Sequence, residues 1–93
     1  MIKSFACKET EKIWLGFYSK KFPADLQARA WAKLNLIHSS LLLSDLKNPP
    51  SNNLEALKGD RNGQYSIRIN SKWRVCFLWS NQAAYGVEIV DYH

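Results

Sequence analysis

Asn70-Ser71-Lys72-Trp73-Arg74-Val75-Cys76-Phe77-Leu78-Trp79 reads as a β-strand entered through a short turn at Ser71-Lys72. Side chains alternate across a strand, so Trp73, Val75, Phe77 and Trp79 share one apolar face while Arg74, Cys76 and Leu78 point the other way. A run this apolar and aromatic belongs in the middle of a sheet. Arg74 is out of keeping with it, a permanent cation with five donors where a fully buried strand carries Val or Ile. Two readings follow for Arg74. Either it reaches solvent or pairs with Glu88 on the next strand, or it places a guanidinium on the floor of an open sheet face.

Outward from that strand the pattern repeats. Tyr65, Ile67 and Ile69 alternate with Ser66 and Arg68, after the turn Gly59-Asp60-Arg61-Asn62-Gly63. On the other side Ser80-Asn81-Gln82 turns the chain into a last strand over 83–90, in which Tyr85, Val87 and Ile89 are expected to face inward. Three strands in hairpin order make a meander, and Leu54 to Leu57 starts a further strand. The first half has a different period. Ile13, Trp14 and Phe17 fall on one face of a helix over 10–17, and Leu26, Ala30, Leu34, Ile37 and Leu41 mark a longer helix that starts at Pro23. Asp45 to Asn53, with two prolines and three asparagines, is a loop. Met1 to Ala6 suits a short strand at a sheet edge. Helices early and strands late predict an α+β fold, a helical hairpin packed on an antiparallel sheet.

The 93 residues suffice for one domain. Lys and Arg exceed Asp and Glu by 13 to 8, and the net charge of +5 favours polyanions or acidic proteins as partners. The excess is concentrated. Between Arg61 and Arg74 stand Arg61, Arg68, Lys72 and Arg74 with no acid among them, and Arg61, Arg68 and Lys72 are candidate contacts to nucleic-acid phosphates. Cys7 and Cys76 form no C-x-x-C and have only His38 and His93 beside them, so no metal site and no cofactor are expected, and the thiols read as free in a reducing cytoplasm. Charges at Lys3, Lys8, Glu9, Glu11 and Lys12 interrupt any signal-peptide core, and no apolar run approaches the length of a membrane span.

The chain closes on Asp91-Tyr92-His93, a carboxylate, a phenol and an imidazole at the end of the last strand, beside Arg74 if the meander holds. On composition the same triplet also fits a polar terminus with no role. His93 carries the one side chain of this group that ordinarily titrates near neutrality. His38 reads as packed or solvent-facing, and Trp14, Trp31 and Phe17 read as core. Trp79 and Tyr65 point inward by alternation. Tyr92, of opposite parity, is the aromatic expected to meet a base.

The run from Leu57-Lys58-Gly59-Asp60-Arg61 through Trp73-Arg74-Val75-Cys76-Phe77, with the terminal Asp91-Tyr92-His93 and the opening Met1-Ile2-Lys3-Ser4-Phe5, resembles the HigB branch of the RelE/ParE toxin superfamily across nearly the whole chain. The resemblance implies a RelE-like fold and a toxin of a type II toxin–antitoxin system. It implies a toxin that cuts messenger RNA in the ribosomal decoding site, held inactive by a HigA-type helix-turn-helix antitoxin with which it binds operator DNA. Residue by residue it points to Lys58, Arg74, Asp91, Tyr92 and His93. It departs at Leu54-Glu55-Ala56-Leu57, where Glu55 replaces a histidine of many relatives, so Glu55 joins the catalytic candidates. A carboxylate is a weak base at neutral pH and weaker beside Arg74, so the expected chemistry is slow on free RNA and dependent on a ribosome to fix the geometry. The alternative within the superfamily is a ParE-like toxin that binds gyrase without cutting RNA.

Overall fold

The computed structural model describes residues 1–91. Two α-helices, α1 (Lys8–Trp14) and α2 (Gln27–Ser39), precede four strands, β1 (Glu55–Ala56), β2 (Tyr65–Arg68), β3 (Trp73–Ser80) and β4 (Ala83–Asp91). The strands form one antiparallel sheet in the order β1-β2-β3-β4, so the expected three-stranded meander is extended by a two-residue strand at one edge. The helices cover one face. Ile13 of α1 and Ala30, Leu34 and Ile37 of α2 pack with Ile67, Val75, Phe77, Val87 and Ile89 in a single cluster.

The alternation of β3 holds. Val75 and Phe77 are fully buried under the helices, with Trp73 and Trp79 packed at the margins of the cluster, and Leu78 is exposed on the far face. Phe77 also meets Tyr65 and Trp79 with ring centroids 6.3 Å from its own. Truncating such a side chain removes its transfer free energy and leaves a cavity. Phe77→Ala is expected to lower the unfolding free energy by about 3–5 kcal/mol, measured by urea denaturation.

The helices stop earlier than their apolar spacing predicts. Gly16 takes a φ of 90°, its N–H bonds the Ile13 carbonyl at 3.0 Å, and the Phe17 N–H bonds the Lys12 carbonyl at 2.8 Å. That glycine-dependent C-terminal pattern ends α1 and leaves Phe17 exposed rather than in the core. A 3-10 turn over Ala24–Leu26 follows Pro23 and leads into α2. The stripe Leu26, Ala30, Leu34 and Ile37 is buried as expected, but α2 ends at Ser39 and Leu41 is exposed. Trp31 is also outside the core, 43% exposed, and stacks on Trp14 with centroids 5.9 Å apart. His38 is packed, its ring 5.0 Å from Trp14 and its Nδ1 accepting the Ile2 N–H at 3.2 Å.

Met1 to Ala6 lies against the outer edge of β4 through two isolated parallel bridges, Ile2 with Ala84 and Phe5 with Val87, rather than as a regular strand. Its backbone and the Ser4 and Thr10 hydroxyls accept β4 N–H groups, Ser4 Oγ from Gly86 at 2.8 Å and Thr10 Oγ1 from Ile89 at 3.0 Å. This edge is therefore closed to further pairing. The register of β4 breaks between the partners of Cys76 and Leu78, where Gly86 takes a φ of 58°. The extra residue reverses parity, so Val87 and Ile89 face the helices as expected while Tyr85 lies opposite Leu78 on the other face. No helix among the described residues is long and apolar enough to cross a membrane.

Candidate active site

Parity places Arg74 on the sheet face away from the helices, yet its side chain is only 6% exposed. It lies across the sheet toward β2 and β1. Its Nε–H donates to Ser66 Oγ at 2.8 Å, and Nη2 donates to the Asn53 carbonyl at 2.6 Å and to the Ser66 carbonyl at 3.4 Å. Glu55 Oε1 stands 3.9 Å from the same Nη2, with its side chain 40% exposed. Glu55 is the register partner of Ser66, so the acid, the hydroxyl and the guanidinium form a row across β1, β2 and β3. The site opens to solvent over Glu55.

Asn53 ties the two charged groups together. It sits in the left-handed region with a φ of 47°, a conformation asparagine tolerates better than most residues. Its carbonyl accepts from Arg74 while its Nδ2 donates to Glu55 Oε1 at 3.2 Å. Sequence reasoning missed both Asn53 and Ser66. Ser66 was legible as the even-parity residue of β2, facing the same side as Arg74, whereas the carbonyl of Asn53 is a backbone group with no sequence signal beyond the Asn-Asn pair before the strand.

The pairing of Arg74 with Glu88 does not occur. Glu88 lies opposite Cys76, and its Oε1 is held by Arg61 Nη1 at 2.7 Å, an arginine that also donates to Gln64 Oε1 at 3.1 Å. Arg61 therefore sits on the same sheet face in an ion pair, with Glu88 raising its already high pKa. Cys76 lies beside this pair and is fully buried, and burial holds its thiol above the ordinary range, with Arg61 and Arg74 opposing. A raised folded-state value means that the unfolded chain gives up its proton first, so this group's contribution to stability declines as pH rises through and above the ordinary thiol range. The urea midpoint of the parent chain is expected to fall more steeply above that range than that of Cys76→Ala.

The remaining candidates divide. Lys58 is exposed on the segment that continues from β1 and begins the 3-10 turn Gly59–Arg61. Val90 pairs with Arg74 and Asp91 with Trp73, so the end of β4 runs beside Arg74. Asp91 has the parity of Trp73 and is exposed. Tyr92 and His93 lie outside the described residues. Arg68 pairs with Arg74 in the ladder but turns to the unpaired edge of β2, where its Nε donates to the Asn70 carbonyl at 3.1 Å. Lys72 is exposed at the tip of the β2–β3 turn. The structure thus brings Arg74, Glu55, Ser66 and Asn53 together, with the end of β4 alongside, and keeps Arg61 and Lys72 at other stations.

Residues 3–93 match the family described as the RelE-like toxin of the type II toxin–antitoxin system HigB. The chain belongs to the HigB-like toxins. A Proteus vulgaris protein named Endoribonuclease HigB is 33% identical to this HigB-like toxin over 93 residues, the full length of both. A Vibrio cholerae serotype O1 protein named Toxin HigB-1 is 34% identical over 62 residues, 67% of this chain and 65% of that protein. A Haemophilus influenzae protein is 38% identical over 61 residues, 66% of this chain and 60% of that protein, so these two matches span less than two thirds of their relatives' length. Among solved structures, the heterotetrameric YoeB–YefM toxin–antitoxin complex from Staphylococcus aureus contains a chain that superposes with a TM-score of 0.56 at 16% identity, covering 100% of this chain and 98% of that one. That likeness is one of fold alone, and the RelE-like description comes from the family match over residues 3–93.

Proposed function

We propose that this HigB-like toxin is a ribosome-dependent endoribonuclease that cuts messenger RNA by acid–base chemistry without a metal, and that a HigA-type helix-turn-helix antitoxin neutralises it. The observation that carries the reading is the row of Glu55, Ser66 and Arg74, with the guanidinium fork aimed by Ser66 and Asn53 and the end of β4 beside it. The relative named as an endoribonuclease, similar over its full length, supports the same reaction class.

Cleavage of an RNA phosphodiester by its own 2′-OH requires three services. A base takes the 2′-OH proton, a cation holds the charge that builds on the phosphoryl oxygens, and an acid protonates the leaving 5′ oxygen. The 2′ oxygen bonds to phosphorus, the bond to the 5′ oxygen breaks, and the products are a 2′,3′-cyclic phosphate and a 5′-OH. Glu55 is the base in this scheme because its carboxylate stands 3.9 Å from Arg74 Nη2 and is open to solvent. Arg74, assisted by Lys58, holds the phosphoryl charge. His93 supplies the proton, Tyr92 stacks on a base, and Asp91 orients the terminal segment. The side-chain donor fork suits phosphate oxygens, and the net charge of +5 favours a polyanionic substrate.

The 93 residues act as one toxin domain in the cytoplasm, with the ribosome supplying the alignment that a weak carboxylate base needs, and with the antitoxin complex binding operator DNA. Mapping of transcript 5′ ends after brief expression tests this function. New 5′ ends inside translated codons are expected, and growth arrest with intact transcripts would instead favour a ParE-like gyrase binder.

A further inference from the structure

A second group of cations lies on the edge of β2 that β1 leaves uncovered. Register pairs β1 only with Tyr65 and Ser66, so the backbone beyond Ser66 has no strand beside it on that side among the described residues. There a concavity of about 390 Å³ forms between α2 and the β2–β3 turn, lined by Arg29, Lys33, Ser51, Arg68, Asn70 and Ser71, with Ile69 its one apolar residue and no acid among the described residues that line it. Two of the cations are held in place by neutral groups. Lys33 Nζ donates to Asn52 Oδ1, and Asn52 is itself fully buried, with its Nδ2 fixed on the Leu46 carbonyl at 3.2 Å and the Asn48 carbonyl at 3.1 Å. Arg68 is braced on the Asn70 carbonyl. Burial, and then the like charge of Arg29, push the Lys33 ammonium below its ordinary value, the sign of a cation kept close to another cation and partly out of water.

Three cations gathered around one hollow destabilise each other unless an anion enters. The hollow is too polar to select an apolar ligand, and its hydroxyl and amide groups add donors suited to phosphate oxygens. Its position decides which phosphate. The hollow lies on the helix side of the sheet and the Glu55–Arg74 row on the other, but Arg68, directly opposite Arg74 in the β2–β3 ladder, lines the hollow, so a strand passing around the edge of β2 meets both.

We propose that this hollow binds backbone phosphates of the same RNA strand that lies across Arg74, giving the toxin a second, non-catalytic grip on its substrate. The inference rests on the nuclease reading for the identity of the strand. Arg29, Lys33 and Arg68 act through charge and set how strongly and in which register the strand lies, while the bond is cut at the neighbouring row.

The test uses the full chain and a fluorescent single-stranded RNA with 2′-O-methyl groups throughout, which binds but cannot be cut. Affinity is followed by anisotropy as KCl is raised. Removing one phosphate-neutralising charge is expected to make the slope of log affinity against log salt shallower by about 0.7, so Arg29→Gln/Lys33→Gln/Arg68→Gln flattens it by about 2. The double variant Arg29→Gln/Arg68→Gln, confined to exposed side chains, flattens it by about 1.4 and guards against an effect through Asn52. Lys8→Gln/Lys20→Gln/Lys47→Gln removes equal charge elsewhere on the surface and is expected to change the slope less. A parental slope in both hollow variants, or an equal flattening in the control set, overturns the proposal. A parental slope on the free strand with weakened ribosome co-sedimentation also overturns it, since the phosphates would then be ribosomal. Arg74→Gln assayed in parallel separates the two readings, because loss of cutting there with unchanged slopes in the hollow variants leaves the nuclease standing and removes only the second grip.

Discussion

Replacing Arg74 by glutamine is expected to lower ribosome-dependent cleavage by about 10²–10³-fold, the usual loss when one preorganised donor is taken from a developing negative charge. The side chain is nearly buried, and its donors are aimed by Ser66 Oγ and the Asn53 carbonyl, so little reorganisation accompanies charge build-up. Arg74→Lys keeps the charge but loses the fork, and a point cation cannot bond Ser66 and Asn53 together as the guanidinium does. It is expected to recover only part of the rate. Both variants leave acceptors at Ser66 and Asn53 without their donor and should be less stable by about 1–3 kcal/mol. Single-turnover cleavage on programmed ribosomes, measured where circular dichroism shows both variants folded, separates the two effects. Near-parental rates in Arg74→Gln would remove Arg74 from the chemistry.

Ending the chain at Asp91 is expected to have an effect of similar or larger size. If His93 protonates the leaving 5′ oxygen, its removal costs the contribution typical of a positioned general acid, about 10²–10⁴-fold. β4 extends to Asp91, so the shortened chain keeps every strand pairing among the described residues. His93→Gln preserves length and is expected to show the same loss together with a flattened pH–rate profile around neutrality, since an imidazole is the group that ordinarily titrates there. Growth inhibition should disappear with the cleavage. A toxin acting on gyrase would keep most of its growth inhibition without these two residues.

The fold was legible where one period ruled a long enough run. The alternation of Trp73, Val75, Phe77 and Trp79 identified the central strand, and the Leu26, Ala30, Leu34, Ile37 stripe identified the face α2 buries. Elements ended where glycine or local capping decided, and spacing does not report that. Gly16 stopped α1 before Phe17, and the bulge at Gly86 sent Tyr85 to the opposite face from Val87. The site was half legible. Parity sent Arg74 to the open face, and the departure at Glu55 marked a residue that stands 3.9 Å from it. Of the partners of Arg74, Ser66 could be found by strand parity, but the main-chain carbonyl of a loop asparagine could not. Glu88 was the nearest acid by sequence pattern, but the register gave it to Cys76 and its ion pair to Arg61.

The cation run between Arg61 and Arg74 looked like one patch in the sequence and is divided in space. Arg61 faces Glu88 on the open sheet, Arg74 is sunk into the Glu55 row, and Arg68 turns to the unpaired edge of β2 beside Lys33 and Arg29. A linear count of charges cannot make that division, since strand parity and the shortness of β1 determine it.

The chemistry of the cut ends tests the central claim most directly. Purified toxin is mixed with ribosomes carrying a defined codon in the decoding site, and the products are analysed for their termini. A 2′,3′-cyclic phosphate upstream and a 5′-OH downstream, formed with the parent chain and reduced about a hundredfold or more with Arg74→Gln, is the predicted result. A message that stays intact, or is cut equally well without Arg74, would contradict the account.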